Sequence, residues 1–155
     1  MNAELEEPTP ATAPEHAGTV PTLAEVIETS PVLVLDAPLY FVRSTTPVTA
    51  SPKHLAVIAD DIETTIVTSD EQTVAAHQPT DLEGPFSGFR LQISLSFGAP
   101  GFIAAATSAC AEDGINVCVL STFSFDYLLV PAEDERAALT ALGRAGFPMD
   151  PRTTS

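Results

Sequence analysis

The fold of this protein is decided by residues 96–130, which read SFGAPGFIAAATSACAEDGINVCVLSTFSFDYLLV. A Gly/Pro turn over residues 98–101 predicts the start of a helix, because proline and glycine end strand pairing and a run of small residues follows them. We expect the helix to run from Gly101 to Asp113 and to end at Gly114, since glycine adopts the left-handed conformation of a helix end without steric cost. Short apolar runs predict two strands after it, at residues 115–120 and 126–130.

The segments on either side extend this pattern. Apolar and polar residues alternate over residues 89–97, which predicts a strand with one buried face. Three acidic residues at 133–135 favour the positive end of a helix dipole and begin a second helix, which Gly146 ends. The order matches most of a βαββαβ ferredoxin-like unit, an α+β fold with helices on one face of an antiparallel sheet. Two prolines within residues 147–151 weaken the last strand, so we expect the first half of the chain to supply the missing edge.

The chain before this unit divides into two parts. Residues 1–31 contain six glutamates, five prolines and no lysine or arginine, which predicts a disordered acidic arm in which only Thr22 to Glu28 favour a short helix. Residues 32–83 are β-rich, and a short helix capped by Ser69 or Asp70 is predicted near their end. Four strands are predicted there, at residues 32–35, 39–42, 55–59 and 64–67. A turn predicted at residues 84–88 marks the boundary with a C-terminal domain over residues 84–149, followed by a tail over residues 150–155.

Composition excludes several classes of partner. Six basic residues against 21 acidic ones give a formal charge of −15, and the basic residues are scattered, so nucleic acid and anionic membranes are not expected partners. No apolar run reaches the length of a membrane span, and no basic region precedes an apolar stretch as in a secretory signal, so we expect a cytoplasmic protein. Cys110 and Cys118 lack the paired spacing of a zinc site and are expected to be buried free thiols.

Two motifs in residues 96–130 resemble those of ACT domains, small regulatory modules that bind amino acids. The turn Ala99-Pro100-Gly101-Phe102-Ile103 resembles the Pro-Gly turn at the start of the first ACT helix, and Gly114-Ile115-Asn116-Val117 resembles the Gly-Ile-Asn step into the second strand. The segment from Leu120 to Val130 is similar to a Ser-Thr-aromatic and Asp-Tyr pattern of a narrower group, the tandem ACT proteins related to cytosolic arginine sensors. Residues 57–67 resemble the strand pair of the degenerate first unit in that group.

The resemblance covers roughly Leu39 to Phe147 and implies two tandem ferredoxin-like ACT units. The first unit, over residues 32–83, is degenerate because no long helix follows its strand at residues 39–44. The resemblance implies a non-catalytic regulatory or allosteric sensor that binds a small amino acid at the strand-turn-helix corner or at the interface between the two units. Partners implied are the amino acid and a second copy of the chain, in a homodimer, or a regulatory protein.

Residues 98–103 and 121–126 together form the corner of the predicted domain. The chemistry of their backbone and side chains also favours an amino-acid ligand. Unpaired N–H groups at a helix N-terminus bind carboxylates, and glycine allows a ligand to approach the backbone. A carboxylate at Asp126 suits an α-ammonium group, and the hydroxyls of Ser121 and Thr122 suit further hydrogen bonds. The candidate ligand-binding residues are therefore Gly98, Ala99, Pro100, Gly101, Phe102, Ile103, Ser121, Thr122 and Asp126.

Other interpretations of the same residues remain open. Each of them also suits a plain structural role: Pro100 and Gly101 shape a turn, and Asp126 caps one. The alternative function is an ACT-fold module for protein–protein interaction, or a regulatory subunit, without a ligand. The sequence contains no nucleophile elbow, phosphate loop or His-Glu-x-x-His motif, so no catalytic residue, metal site or cofactor is predicted.

Overall fold

The computed structural model describes residues 20–93 and 99–154. Its helices are α1 (Leu23–Glu28), α2 (Glu71–Ala75), α3 (Phe102–Glu112) and α4 (Glu135–Arg144). Its strands are β1 (Val32–Val34), β2 (Leu39–Ser44), β3 (His54–Ala59), β4 (Thr64–Thr68), β5 (Leu82–Leu91), β6 (Cys118–Ser121) and β7 (Asp126–Pro131). The elements predicted in both halves of the chain are confirmed, with boundaries that differ by a few residues. Leu95 and Phe97, at the end of the predicted alternation, lie outside the described residues.

All seven described strands form a single antiparallel sheet, in the order β3-β4-β2-β5-β7-β6. The ten-residue β5 is long enough to pair with two strands along one side. β1 pairs with its last part, where Val32 lies opposite Leu91, and β2 pairs with its first part, where Leu39 lies opposite Phe86. The expectation that the first half of the chain supplies the missing edge is confirmed. Met149 contributes only an isolated parallel bridge to Val32.

The turn predicted at residues 84–88 is wrong, because these residues lie inside β5. A bulge lets the strand carry a glycine and a proline. Leu39 of β2 lies opposite Phe86, and Phe41 lies opposite Glu83, so the dipeptide Gly84-Pro85 faces the single residue Tyr40. Proline has no N–H to donate, and here it lies where the hydrogen bonding between β2 and β5 is already interrupted by the bulge. The predicted domain boundary falls within this continuous strand.

The predicted acidic arm is wrong from α1 onward; residues 1–19 lie outside the described residues. The predicted short helix is confirmed as α1, and its start is held by a capping box between Thr22 and Glu25. Val26 and Ile27 are buried in the main core, which makes α1 part of the folded unit. Two apolar residues in one turn of this helix thus outweigh the polar and proline-rich composition around them.

Strand alternation divides the core into two clusters on opposite faces of the sheet. Phe89 and Leu91 of β5 and Leu128 of β7 face α1, α3 and α4, whereas Tyr127 and Leu129 of β7 lie in the second cluster. Helices therefore cover one face, as the ferredoxin-like prediction requires. None of the described helices has the length and apolar character that a membrane span needs.

The connection from α3 to β6 follows the prediction in part. Gly114 has a φ of 74°, in the left-handed region expected of a residue that ends a helix. The predicted strand at residue 115 begins only at Cys118, because the N–H of Ile115 donates back to the carbonyl of Cys110 (3.1 Å). Ile115 is buried under the helix end, where it joins the main core.

The predicted C-terminal tail is also wrong for its first residues. Asp150 is buried, and its carboxylate accepts hydrogen bonds from the Arg152 guanidinium (2.7 and 2.9 Å) and from the Gln92 side chain (2.5 Å). The hydrogen bonds from Arg152 hold the pKa of the Asp150 carboxyl well below its ordinary value. This cluster fastens the end of the chain to the residue that follows β5.

We predict that Asp150 makes stability depend on pH in the acid range. A carboxyl whose pKa is depressed in the folded state stabilises the fold fully above its unfolded pKa of about 3.9, and this contribution is lost as the pH falls below that value. Urea denaturation between about pH 5 and about pH 2 should show a steeper loss for wild type than for Asp150→Asn. Asp61→Asn, at an exposed position, controls for net charge. Equal slopes in wild type and Asp150→Asn would contradict the prediction.

Candidate functional site

A cleft of about 360 Å³ lies between the N-terminus of α3 and the ends of β6 and β7. The antiparallel register places Ser121 opposite Asp126, on the face of the sheet that carries the helices. Residues 99–101, which lead into α3, line the same cleft, so the two predicted parts of the site meet across it. Its lining residues are Ile93, Ala99, Pro100, Gly101, Phe102, Ile103, Ala104, Ser121, Thr122, Phe123, Ser124, Phe125 and Asp126. Every predicted ligand-binding residue is among them except Gly98, which lies outside the described residues.

The first turn of α3 supplies donors to this cleft. Gly101 is the N-cap, so Pro100 precedes the helix instead of starting it. The N–H of Phe102 donates to the Ala99 carbonyl (3.2 Å). The N–H groups of Ile103 and Ala104 belong to the same first turn, which an α-helix leaves without intrahelical partners. Together with the positive end of the helix dipole they favour an anionic group.

Position 101 requires a glycine for two reasons, its backbone conformation and the closeness of a neighbouring side chain. Its φ of 90° lies in the left-handed region. A Cβ at this position would also stand 3.2 Å from Cδ2 of Leu23, so α1 packs directly against the cleft turn. A residue with a side chain would have to shift either the turn or Leu23.

The β6–β7 hairpin supplies the acid. The Ser121 hydroxyl donates to Oδ1 of Asp126 (2.6 Å), and within the described residues Oδ2 accepts no hydrogen bond. Asp126 is half-buried, so the Ser121 contact holds its carboxylate at the wall of the cleft. Thr122 has a different role, because its hydroxyl accepts the N–H of Phe125 (3.1 Å) and closes the hairpin loop.

The apolar walls include residues that sequence reasoning missed. Ile93 follows β5 and continues the face of Phe89 and Leu91, so its alternation could have indicated it. Phe125 also lines the cleft, and the guanidinium of Arg90 lies 4.6 Å from the centre of its ring. This cation–π contact joins β5 to the loop between β6 and β7, and it carried no signal in the sequence. The predicted Phe102 is only 2% exposed, so it offers the cleft mainly its backbone.

The described lining residues offer hydroxyl groups and one carboxylate, and they include no histidine, cysteine or lysine. Asp126 is the one charged side chain among the described lining residues. Burial raises the pKa of the Cys110 and Cys118 thiols, and neither lines the cleft. Within residues 20–93 and 99–154, no three His, Cys, Asp or Glu side chains are grouped as a metal site requires. The arrangement suits binding of a molecule with both an anionic and a cationic group.

The residues that form this cleft lie in a segment that matches a known protein family. Residues 83–144 match the model of an ACT domain family, which covers β5, both helices that follow it and the hairpin between them. No curated protein matches the sequence. The predicted resemblance to ACT domains is therefore confirmed for this segment. The tandem arrangement and the relation to arginine sensors stay predictions.

Solved structures extend the likeness of the fold. A protein of unknown function from Vibrio cholerae, titled a possible transport protein, aligns with a TM-score of 0.64 at 23% identity and covers 81% of this chain and 96% of its own. An Agrobacterium tumefaciens protein gives the same score and identity over 78% and 92%. The regulatory subunit of aspartate kinase from Thermus thermophilus aligns with a TM-score of 0.58 at 15% identity over 76% and 96%. These alignments show that the chain shares its fold with the three structures.

We predict that Gly101→Ala destabilises the protein by about 1–3 kcal/mol, because alanine is strained at a positive φ and its methyl group meets Leu23. Gly143→Ala is the matched control. No atom lies within 4 Å of a Cβ at Gly143, which lies in α4, so this change should stabilise the fold by about 0.5–1 kcal/mol. Urea unfolding of both variants measures the difference. A Gly101→Ala protein as stable as Gly143→Ala would show that the turn tolerates a side chain.

Proposed function

We propose that this protein is a non-catalytic regulatory sensor that binds a small amino acid in the cleft between α3 and the β6–β7 hairpin. The observation that carries the proposal is the pairing of opposite electrostatic character across one cleft. The helix N-terminus, with the N–H groups of Ile103 and Ala104, favours an anion. The carboxylate of Asp126 on the opposite wall favours a cation.

A zwitterionic amino acid fits both groups at once. Its carboxylate accepts hydrogen bonds from the first turn of α3, and its ammonium group donates to Oδ2 of Asp126. Ser121 orients the Asp126 carboxylate through its hydrogen bond to Oδ1. Binding at backbone amides and one oriented acid requires no metal and no cofactor.

A regulatory role is supported by the segment that forms the cleft. Residues 83–144, which match the ACT domain family, contain every described lining residue of the cleft. The Thermus thermophilus structure of the same fold is titled as a regulatory subunit, which sets a precedent for this fold as a separate regulatory chain. We infer that amino-acid binding in the cytoplasm changes the association of this protein with a partner. The change would pass from the cleft to α1 and to the edge of the sheet, which both adjoin it.

The proposal predicts that amino acids raise the melting temperature of wild type in a thermal-shift screen of the twenty common ones. Binding to the folded state alone stabilises by about 2.7 kcal/mol at a ligand concentration of 100 times Kd. Asp126→Asn should abolish the shift, because the amide has the same shape but cannot pair with an ammonium group. Asp61→Asn, which removes an exposed acid elsewhere, should keep it. The proposal fails if no amino acid at millimolar concentration shifts wild type.

The second candidate function is a protein interaction module without a ligand, and the exposed edge of the sheet favours it. β6 is the last strand on its side of the sheet, and within the described residues its outer edge pairs with no strand. Val119 is 36% exposed on this edge, and Phe123 is 82% exposed in the adjoining loop. Edge strands with apolar side chains pair readily with another chain, and a second copy is the simplest partner.

This candidate predicts a homodimer in light scattering coupled to size exclusion. Val119→Lys should give a monomer, because a charged residue on an edge strand opposes pairing with another strand. Thr140→Lys adds the same charge at an exposed position on α4 and should leave the dimer intact. A monomeric wild type would exclude the homodimer and leave the edge to a different protein.

A further inference from the structure

We infer that the amino acid bound in the cleft carries an apolar, uncharged side chain. The inference rests on the proposed function and adds the class of ligand. It follows from the number of charges in the cleft and from the character of its walls. Arginine, lysine, aspartate and glutamate are thereby separated from leucine, isoleucine, valine, methionine and phenylalanine.

The cleft has one carboxylate, and the α-ammonium group uses it. A lysine or arginine ligand brings a second cation, which needs a second acid for selective binding, because an unpaired charge loses solvation when it enters a site. Asp126 is the one charged residue among the described lining residues. The stretch 94–98, which connects β5 to the cleft turn, reads Ser-Leu-Ser-Phe-Gly and contains no charged residue either. A basic side chain therefore has no partner from these segments.

An acidic ligand side chain also lacks a partner, because no described lining residue carries a positive charge. Arg90 is the cation nearest in sequence to the end of β5, but it does not line the cleft. The register pairs Arg90 with Tyr127, whose side chain belongs to the core cluster on the other face of the sheet. Its guanidinium lies against the ring of Phe125. The backbone donors of α3 are taken by the α-carboxylate, so a second carboxylate has no matching group.

Apolar surface is what remains for the side chain. Ile93 and Ile103 are half-buried, pack with the core cluster on the helix-covered face and line the same cleft. The ring of Phe125 packs with the second core cluster and under Arg90, so it is not counted among these walls. The volume of about 360 Å³ is at the lower end of the range of roughly 300–1,000 Å³ found for small-molecule sites. A single amino acid with a branched or aromatic side chain covers these walls and removes apolar area from water.

Titration calorimetry on the full chain tests the inference with leucine, isoleucine, phenylalanine, lysine, arginine, aspartate and glutamate. At least one of the three apolar amino acids should bind roughly tenfold or more tightly than every charged one, the scale at which pockets discriminate by side-chain contacts. Tightest binding of a charged amino acid overturns the inference and leaves the proposed function standing. No binding by any of the seven overturns the inference, and the thermal-shift screen of the twenty amino acids then decides the proposed function.

Two analogues separate the inference from the proposed function. Isopentylamine lacks the carboxylate of leucine, and 4-methylpentanoate lacks its ammonium group. Both should bind roughly tenfold or more weakly than leucine, because each loses a charge-assisted contact. If either binds as well as leucine, the cleft recognises an apolar group alone, which contradicts amino-acid sensing and retains the apolar preference.

A charge variant gives an independent test. Ser124 lines the cleft and is exposed, so Ser124→Asp adds a second carboxylate at the rim without disturbing the core. The ratio of leucine affinity to lysine affinity should fall by roughly tenfold. Ser108→Asp adds the same charge on an exposed part of α3 that does not line the cleft, and it should leave the ratio unchanged. An unchanged ratio in Ser124→Asp would contradict the role assigned to the missing second acid.

Discussion

The antiparallel pairing of β5 with β7 is the contact on which the rest of the molecule depends. Its register runs from Phe86 opposite Pro131 to Leu91 opposite Asp126. This register turns Phe89, Leu91 and Leu128 toward the helices, because side chains alternate between the faces of a sheet. A shift of one residue would turn these side chains to the other face and Asp126 away from α3. Core and cleft are therefore specified by the same hydrogen-bonded pair of strands.

A long central strand also explains how the first half of the chain joins the second. β5 extends past the end of its contact with β1, and β2 pairs with the remaining length. The Gly84-Pro85 bulge accommodates a sequence that otherwise interrupts a strand. Because the sheet continues from β3 to β6, the described residues form one continuous architecture. The segment that matches the ACT family begins inside this strand, at residue 83.

One wall of the cleft favours an anionic group and the opposite wall favours a cationic group, and the described residues of the two walls form no ion pair with each other. Donors at the start of α3 are backbone groups, whose position depends on the left-handed conformation of Gly101 and on the contact of that turn with Leu23. The acid is a side chain, and a hydroxyl on the neighbouring strand orients it. Backbone donors and a single oriented acid suit the binding of a ligand that carries both an anionic and a cationic group.

Local sequence pattern was enough to predict the order of helices and strands in residues 99–130, the left-handed Gly114, the cap of α1 and most of the residues that line the cleft. These features depend on neighbours within a few positions, such as glycine conformation, capping side chains and apolar periodicity. Four other features emerge only from the folded chain: residues 84–88 continue a strand, α1 joins the core, Asp150 is buried and the ring of Phe125 packs against Arg90. Each of these rests on a contact between residues far apart in the chain, which local pattern does not encode. β2 lies opposite the bulge, α3 lies beside α1, and Gln92 donates to Asp150.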